Sequence, residues 1–203
     1  MIDEVASRFR ERNVPHLWFL NVDSRPPNLE QILLAHGWVR LREGVGMAID
    51  LSATASPFPP PPDLTIERVV EEEGVAQWIN LHPHYLENDQ RDEPRERLYI
   101  SLGLGGDQPL RHYLARLGGE PVGALSLFLG REAVGIYNVE VAPARQRRGV
   151  GTAMTRAALL EAHELGYRVG VLGPTPESRS MYERLGFVLH RQALPMYWYP
   201  LKP

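Results

Sequence analysis

The sequence predicts an α+β fold in which a mixed, mostly antiparallel central sheet is flanked by helices. Three strand-like segments at 110–117, 121–129 and 135–141 are joined by glycine-containing turns, as in an antiparallel meander. Helical and strand-like segments alternate after this meander, which indicates that part of the sheet is parallel. Strand and helix patterns before residue 57 add a small N-terminal βαββ appendage.

A proline cluster marks the predicted domain boundary. Pro57 and Pro59–Pro62 cannot join a helix or a central strand, and they indicate a stiff spacer. We therefore predict an accessory unit over 1–56, a linker over 57–63 and a larger domain over 64–203. The accessory unit is too small to bury a stable core alone, so we expect it to pack on the larger domain.

The elements of the accessory unit follow from capping and alternation. A short strand is predicted over 16–21, and a helix over 29–36 begins after Asn28 and stops at Gly37. Two further strands are predicted over 38–41 and 45–51, around a turn that contains glycine.

The larger domain shows alternating and helical patterns around the meander. A strand begins at Leu64, and the glutamates of 71–73 open an acidic helix start. The other predicted elements are helices over 94–102, 149–165 and 177–185, and strands over 168–172, 187–191 and 195–199.

Composition excludes several classes of chemistry. The chain contains no Cys, so thiolate nucleophiles, zinc sites with Cys ligands and disulfides are excluded, and Lys202 is its only lysine. With 22 basic and 25 acidic residues, the net charge of −3 gives no overall attraction for nucleic acid or an anionic membrane. The N-terminal 12 residues lack the apolar stretch of a signal peptide, and no apolar run has the length of a membrane span. We expect a soluble, cytoplasmic protein.

The most informative segment is 139–151, which reads Val-Glu-Val-Ala-Pro-Ala-Arg-Gln-Arg-Arg-Gly-Val-Gly. Strand alternation ends at Pro143, an arginine-rich turn follows, and Gly149 and Gly151 open a helix. Glycines at this point would let an anion reach the first amides of the helix, at the positive end of its dipole. A mononucleotide P-loop would need Lys-Ser or Lys-Thr after Gly151, and Met154 stands where a dinucleotide fingerprint needs a small residue.

Two motifs resemble those of one enzyme family. Gln146–Gly151 matches Gln/Arg-x-x-Gly-x-Gly/Ala and closely resembles the pyrophosphate-binding motif of the GCN5-related N-acetyltransferases (GNAT). Tyr182, followed by Gly186-Phe187, resembles the Tyr-x-x-x-Gly-Phe signature of the same family. The resemblance covers about 64–203, and the N-terminal part resembles the short accessory half of some bacterial members. It implies transfer of an acetyl group from acetyl-CoA to an amine by direct attack in a ternary complex.

The resemblance also implies roles for individual residues. Main-chain groups of Val139 and Val141 would pair with the pantetheine arm, and Tyr182 would protonate the departing thiolate. Glu140 is the candidate general base, although a solvated or salt-bridged glutamate is an equal alternative. Thr175 stands where the family often has Asn. The predicted cofactor-binding residues are Val139, Val141, Gln146, Arg147, Arg148, Gly149, Val150, Gly151, Thr152, Thr175 and Ser178.

Two other functions stay open on the sequence alone. The chain could be a non-catalytic module that binds or senses acyl-CoA, or a nucleic-acid binder that uses its arginine cluster.

No metal site is predicted, because His82-Pro83-His84 has no third ligand at a known spacing. The resemblance implies a small-molecule or peptide amine as acceptor, and small amines, aminoglycoside-like antibiotics, amino acids and protein N-termini all fit. Edge strands at the C-terminal end are compatible with a homodimer.

Overall fold

The computed structural model describes residues 2–11, 16–21, 23–53, 60–82, 93–104 and 108–199. These form two compact units, one of Met1–Gly46 with Leu189–Pro203 and one of Met47–Val188. The units divide the chain at other positions than the predicted boundaries, because the C-terminal strand pairs within the first unit. Residues 57–59 of the predicted linker, and residues 54–56 before it, lie outside the described residues. The division into an accessory unit and a catalytic domain stays a prediction.

Helices and strands are mixed along the described part of the chain. In chain order they are α1 (Ile2–Glu11), β1 (Leu17–Phe19), α2 (Leu29–Ala35), β2 (Val39–Asp50), β3 (Leu64–Arg68), α3 (Glu72–Asn80), α4 (Glu93–Gly103), β4 (Leu110–Leu117), β5 (Glu120–Leu129), β6 (Val134–Val141), α5 (Val150–Glu164), β7 (Val169–Leu172), α6 (Arg179–Arg184) and β8 (Val188–Trp198). Within the described residues, no helix is long and apolar enough to cross a membrane.

The first unit is built around the pairing of β1 with β8. The two strands are antiparallel, with Leu17 opposite Trp198. Leu33, Trp38 and Tyr197 lie in the core of this unit, at most 2% exposed. The Tyr197 hydroxyl donates a hydrogen bond to the Glu30 carboxylate, so a polar contact fixes the edge of the aromatic core.

Two predictions about local structure were wrong, and one helix was missed. The charged segment 2–11 forms helix α1, which was not predicted. Residues 39–50 form one strand, β2, which runs through 42–44, where the sequence predicts a turn that contains Gly44. The segments 187–191 and 195–199 likewise form one strand, β8, with Pro195 inside it.

The second unit contains the sheet that positions the site. Its strand order is β2 (Met47–Asp50), β7, β6, β5, β4, β3. Every neighbouring pair is antiparallel except β6 and β7, which run parallel. The prediction of a mixed, mostly antiparallel sheet with flanking helices is confirmed. The predicted meander corresponds to β4, β5 and β6.

Helix α5 is anchored on the sheet by packing and by a buried polar contact. A side chain at Gly123 would lie 2.8 Å from Cε of Met154, so β5 and α5 approach closely. The Tyr113 hydroxyl donates to Glu161 Oε2 over 2.6 Å, and Arg111 pairs with the other oxygen of that carboxylate. Burial and the neighbouring Glu161 raise the pKa of Tyr113, so its phenol stays a donor.

An aromatic cluster with two histidines joins α3 and α4 to the sheet. The Trp78 ring centroid lies 4.1 Å from that of His82, 4.9 Å from that of Tyr99 and 4.7 Å from that of His112. Trp78 Nε1 donates to the carbonyl oxygen of Leu125 over 3.1 Å. His112 Nδ1 lies 2.8 Å from the hydroxyl of Ser126 on β5, and burial lowers the pKa of His112 to about 4.

Candidate functional site

A bulge in β6 is the feature from which the site is built. Ala124 pairs with Glu140, whereas Ser126, two residues along β5, pairs with Tyr137, three residues along β6. The extra residue of β6 lies between Tyr137 and Glu140. Asn138, in this interval, has a φ of +53°, which is in the left-handed region. Asn is one of the few residues besides glycine that tolerate this conformation.

The bulge coincides with the end of pairing between β6 and β7. Their parallel register covers Val134–Ile136 opposite Gly170–Leu172, and among the described residues it does not continue to Val139–Val141. The two strands therefore separate beyond Ile136, and the second half of β6 borders a gap in the sheet.

The main-chain groups of this half of β6 point in known directions. The amide of Ala142 donates to the carbonyl oxygen of Val122 on the β5 side, over 2.9 Å. Because the main-chain groups of successive strand residues alternate between the two sides, those of Glu140 also face β5, and those of Val139 and Val141 face the gap. Consistent with this, Gln146 Nε2 donates to the Val141 carbonyl oxygen over 3.1 Å. An extended ligand could pair with Val139 and Val141 as an added strand.

The gap opens into a cleft of about 690 Å³, within the range of pockets that hold small ligands. The predicted site residues that line it are Val139, Glu140, Val141, Gln146, Arg147, Gly149, Val150, Gly151, Thr152, Thr175, Ser178 and Tyr182. Arg148 is exposed and is not among the residues that line this cleft.

The N-terminus of α5 forms one wall of the cleft. Arg147 and Gly149 have φ values of +57° and +84°, and Gly149 is the N-cap of the helix. The glycine at 149 is required by this left-handed conformation, which turns the chain from the arginine-rich turn into α5. The first amides of a 15-residue helix have no partner within the helix, so they favour an anion at this wall.

Gly151 also has a packing role that the sequence did not suggest. A Cβ at this position would lie 3.3 Å from Sδ of Met181 and 3.6 Å from Cγ2 of Val141. The missing side chain therefore lets α5 approach α6 and β6 closely, besides leaving the helix amides accessible.

Basic side chains outnumber acidic ones in the cleft. Among the described lining residues, four are arginines, Arg145, Arg147, Arg156 and Arg184, and two are glutamates, Glu140 and Glu177. The excess of guanidinium groups favours a ligand that carries several negative charges.

Tyr182 lies on the cleft wall formed by α6. It is 5% exposed, and its ring packs edge-on against Phe187 with the centroids 5.6 Å apart. Burial raises the pKa of Tyr182 to about 12, so the phenol is protonated at neutral pH. No described residue hydrogen-bonds its hydroxyl, which leaves the proton available for a bound molecule.

Thr175 and Ser178 line the cleft, but their hydroxyl groups contact each other. The two oxygens lie 3.1 Å apart, and the Ser178 hydroxyl also accepts from the Thr175 amide over 3.0 Å. Hydrogen bonds from the Glu177 amide and the Thr175 hydroxyl lower the pKa of the Glu177 carboxyl. These contacts form the turn before α6, so any cofactor contact from the two hydroxyls would compete with that turn.

Glu140 and Thr152 also lie in the lining of the cleft. Glu140 is half-buried and makes no ion pair with a described residue, so its carboxylate can accept a proton from a bound molecule. Within the described residues, no group of three or more His, Asp or Glu side chains could hold a metal ion. The metal motif considered for 82–84 has only its first residue inside the described part of the chain.

Sequence reasoning missed several lining residues on the helices, among them Arg156, Met181 and Arg184. A signal for Arg156 was present, because it follows Thr152 by four residues and thus lies on the same face of α5. No motif marks Met181 or Arg184, and the only signal for them is that they lie close to Tyr182 in the sequence.

The comparisons with known proteins agree with this geometry. The model of the acetyltransferase (GNAT) family matches residues 75–187. Mycothiol acetyltransferase from Mycobacteroides abscessus is 36% identical over 136 residues, which are 58% of this chain and 44% of that protein. The chain thus spans less than half the length of this curated relative.

Solved structures share the fold. A GCN5-related N-acetyltransferase from Kribbella flavida superposes with a TM-score of 0.73 at 19% identity, over 98% of this chain and 74% of that one. A GCN5-related N-acetyltransferase from Sphaerobacter thermophilus gives a TM-score of 0.64 at 17% identity, over 100% of this chain and 67% of that one. At these identities the likeness concerns the fold alone.

Proposed function

The chain belongs to the GNAT acetyltransferase family, and from this premise we propose that it transfers an acetyl group from acetyl-CoA to an amine. The observation that carries the proposal is the gap between β6 and β7, where the main chain of Val139 and Val141 faces an open cleft beside the N-terminus of α5. A strand-like arm and an anionic group at one end of it would both find partners there.

The residues present fit coenzyme A. Val139 and Val141 offer main-chain donors and acceptors to the amide-containing pantetheine arm. The amides that follow Gly149 would hold the diphosphate, and the arginines of the cleft would balance its negative charge. When bound, acetyl-CoA supplies the activated acetyl group.

The proton transfers are assigned to two side chains of the cleft. Glu140 would take a proton from the acceptor amine, directly or through water, because an alkyl ammonium cannot attack a carbonyl. The free amine would then attack the thioester carbon within a ternary complex, and the carbon–sulfur bond would break. The Val141 amide would stabilise the oxyanion, and Tyr182 would give its proton to the departing sulfur.

The acceptor is proposed only as a class, a small-molecule or peptide amine. The 36% identical relative is named a mycothiol acetyltransferase, so amines related to mycothiol belong among the compounds to test. Residues 83–92, which follow α3, lie outside the described residues, so no side chain is assigned to acceptor choice there. The cytoplasmic location and the homodimer stay predictions.

A thermal-shift experiment tests cofactor binding. Acetyl-CoA at a hundred times its dissociation constant should stabilise the fold by about 2.7 kcal/mol. For a domain of this size that raises the melting temperature by roughly 5–10 °C. Absence of a shift at millimolar acetyl-CoA would refute the proposal.

Turnover separates an enzyme from a binding module. Release of free thiol from acetyl-CoA, measured with a panel of amines, should exceed the rate without amine for at least one acceptor class. A thermal shift without amine-dependent thiol release across the panel would favour a non-catalytic acyl-CoA-binding module.

A further inference from the structure

The side chain of His82 contacts the main chain of the β6 bulge. Its side chain is 1% exposed and lies just beyond the C-terminal end of α3. Nδ1 lies 2.7 Å from the carbonyl oxygen of Trp78, and Nε2 lies 3.0 Å from the carbonyl oxygen of Asn138. Carbonyl oxygens only accept hydrogen bonds, so a ring nitrogen must carry a proton to bond either of them. A neutral imidazole has one N–H and can serve one carbonyl, whereas the doubly protonated ring serves both.

The residue that accepts the second contact is the one in the left-handed conformation. A residue other than glycine at a φ of +53° is disfavoured, and such a conformation persists where the surrounding structure holds it. The contact with His82 provides that support. The bulge in turn decides that the main-chain groups of Val139 and Val141 face the cleft.

The imidazole itself is held in place by its neighbours. The Trp78 ring stacks on it at a tilt, and Trp78 is fixed by the hydrogen bond from its indole to Leu125 on β5. Two adjacent strands of the sheet are therefore connected to α3, one through Trp78 and one through His82.

We propose that His82 is a positioning residue for acetyl transfer. Its Nε2–H group holds the Asn138 carbonyl, and thereby the bulge that aims Val139 and Val141 at the cofactor arm. The effect of His82 on acetyl transfer rests on the proposed function, because His82 touches neither the cleft nor the reacting atoms. It assigns a role in cofactor binding to a residue outside both sequence motifs.

Two substitutions separate the two ring contacts. In His82→Asn the side-chain amide nitrogen can replace Nδ1 and keep the contact with the Trp78 carbonyl. In His82→Gln the side-chain amide nitrogen reaches the position of Nε2 and can keep the contact with the Asn138 carbonyl. We expect the dissociation constant of acetyl-CoA to rise about tenfold in His82→Asn, as for a lost buried hydrogen bond, and to change less than threefold in His82→Gln. Equal weakening in both variants, or none in His82→Asn, would overturn the proposal.

His112 provides the matched control. It belongs to the same buried cluster, but its Nδ1 contacts Ser126 on β5 instead of β6. His112→Asn removes the same ring atoms and should lower the melting temperature as His82→Asn does, while leaving the dissociation constant of acetyl-CoA unchanged. If His112→Asn weakens acetyl-CoA binding as much as His82→Asn does, the effect is one of general stability and the proposal fails.

Hydrogen exchange tests the same contact without cofactor or activity. Exchange of the Glu140 and Ala142 amides, which face β5, should be at least tenfold faster in His82→Asn than in His82→Gln, measured without acetyl-CoA. Equal exchange would overturn the positioning role. The unsubstituted protein could fail to bind acetyl-CoA while the two variants still differ in exchange. In that case the proposed function would fail, and the support of the bulge by His82 would stand.

Discussion

Substitution of Tyr182 by Phe is the most direct test of the proposed chemistry. The change removes one hydroxyl that no described residue hydrogen-bonds, and it keeps the ring that packs on Phe187. We therefore expect folding stability and acetyl-CoA affinity to stay close to those of the unsubstituted protein. Only the step in which the sulfur departs loses its proton donor.

The expected magnitude follows from the two pKa values. A free thiol has a pKa near 8.5, so complete transfer from a phenol with a pKa of about 12 is uphill by roughly 3.5 units, or about 5 kcal/mol. General acids contribute about 10²- to 10⁴-fold to rate, and a donor this weak belongs at the lower end. We expect kcat to fall about a hundredfold in Tyr182→Phe.

The assay is amine-dependent thiol release as a function of pH, with the affinity for acetyl-CoA measured in parallel. Because the pKa of Tyr182 is about 12, its ionisation should produce no loss of rate below about pH 11. Tyr167→Phe is the control, since that hydroxyl donates to the Gly130 carbonyl over 2.9 Å and lies outside the cleft lining. It should cost about 1 kcal/mol of stability and leave kcat unchanged. A change in kcat below threefold in Tyr182→Phe would refute the general-acid role.

Three further predictions concern the base, the turn and a buried histidine. Glu140→Gln should lower kcat/KM at least a hundredfold in the thiol-release assay while acetyl-CoA affinity is unchanged, and an unchanged rate would remove Glu140 as the base. Gly149→Val should abolish the thermal shift by acetyl-CoA, whereas Gly119→Val, at a similar φ of +88° with nothing within 4 Å of its Cβ, should lose similar stability and keep the shift. For His112, the folded pKa of about 4 is below the ordinary 6.5, so its contribution to stability is complete above pH 6.5 and is lost as the pH falls toward 4. Urea unfolding should show about 2 kcal/mol of this loss between pH 7 and pH 5, and His112→Asn should lack it.

The core of the fold was predictable because its signals are local. Glycine turns set the meander of β4 to β6, and the glycines after the arginine-rich turn marked the start of α5. The two long strands were missed because a glycine or proline inside a strand carries the same sequence signal as one inside a turn. Only the partner strands decide between the two.

The site was predictable where main-chain chemistry demands a particular residue. Gly149 has to be glycine for its left-handed φ, and this requirement is visible as a motif. The bulge at Asn138 and its contact with His82 join residues 56 positions apart, and no spacing rule predicts them. Arg148 illustrates the reverse case, because a charged residue within the motif lies outside the cleft lining.

The open half of β6 also bears on how the protein behaves in storage. A strand with unsatisfied main-chain groups is a template for strands of other molecules, and proteins commonly protect such edges. Here the Gln146 side chain covers one of these groups, the carbonyl of Val141. A ligand seated along the rest would complete this protection, so preparations kept with coenzyme A should resist self-association on warming better than ligand-free ones.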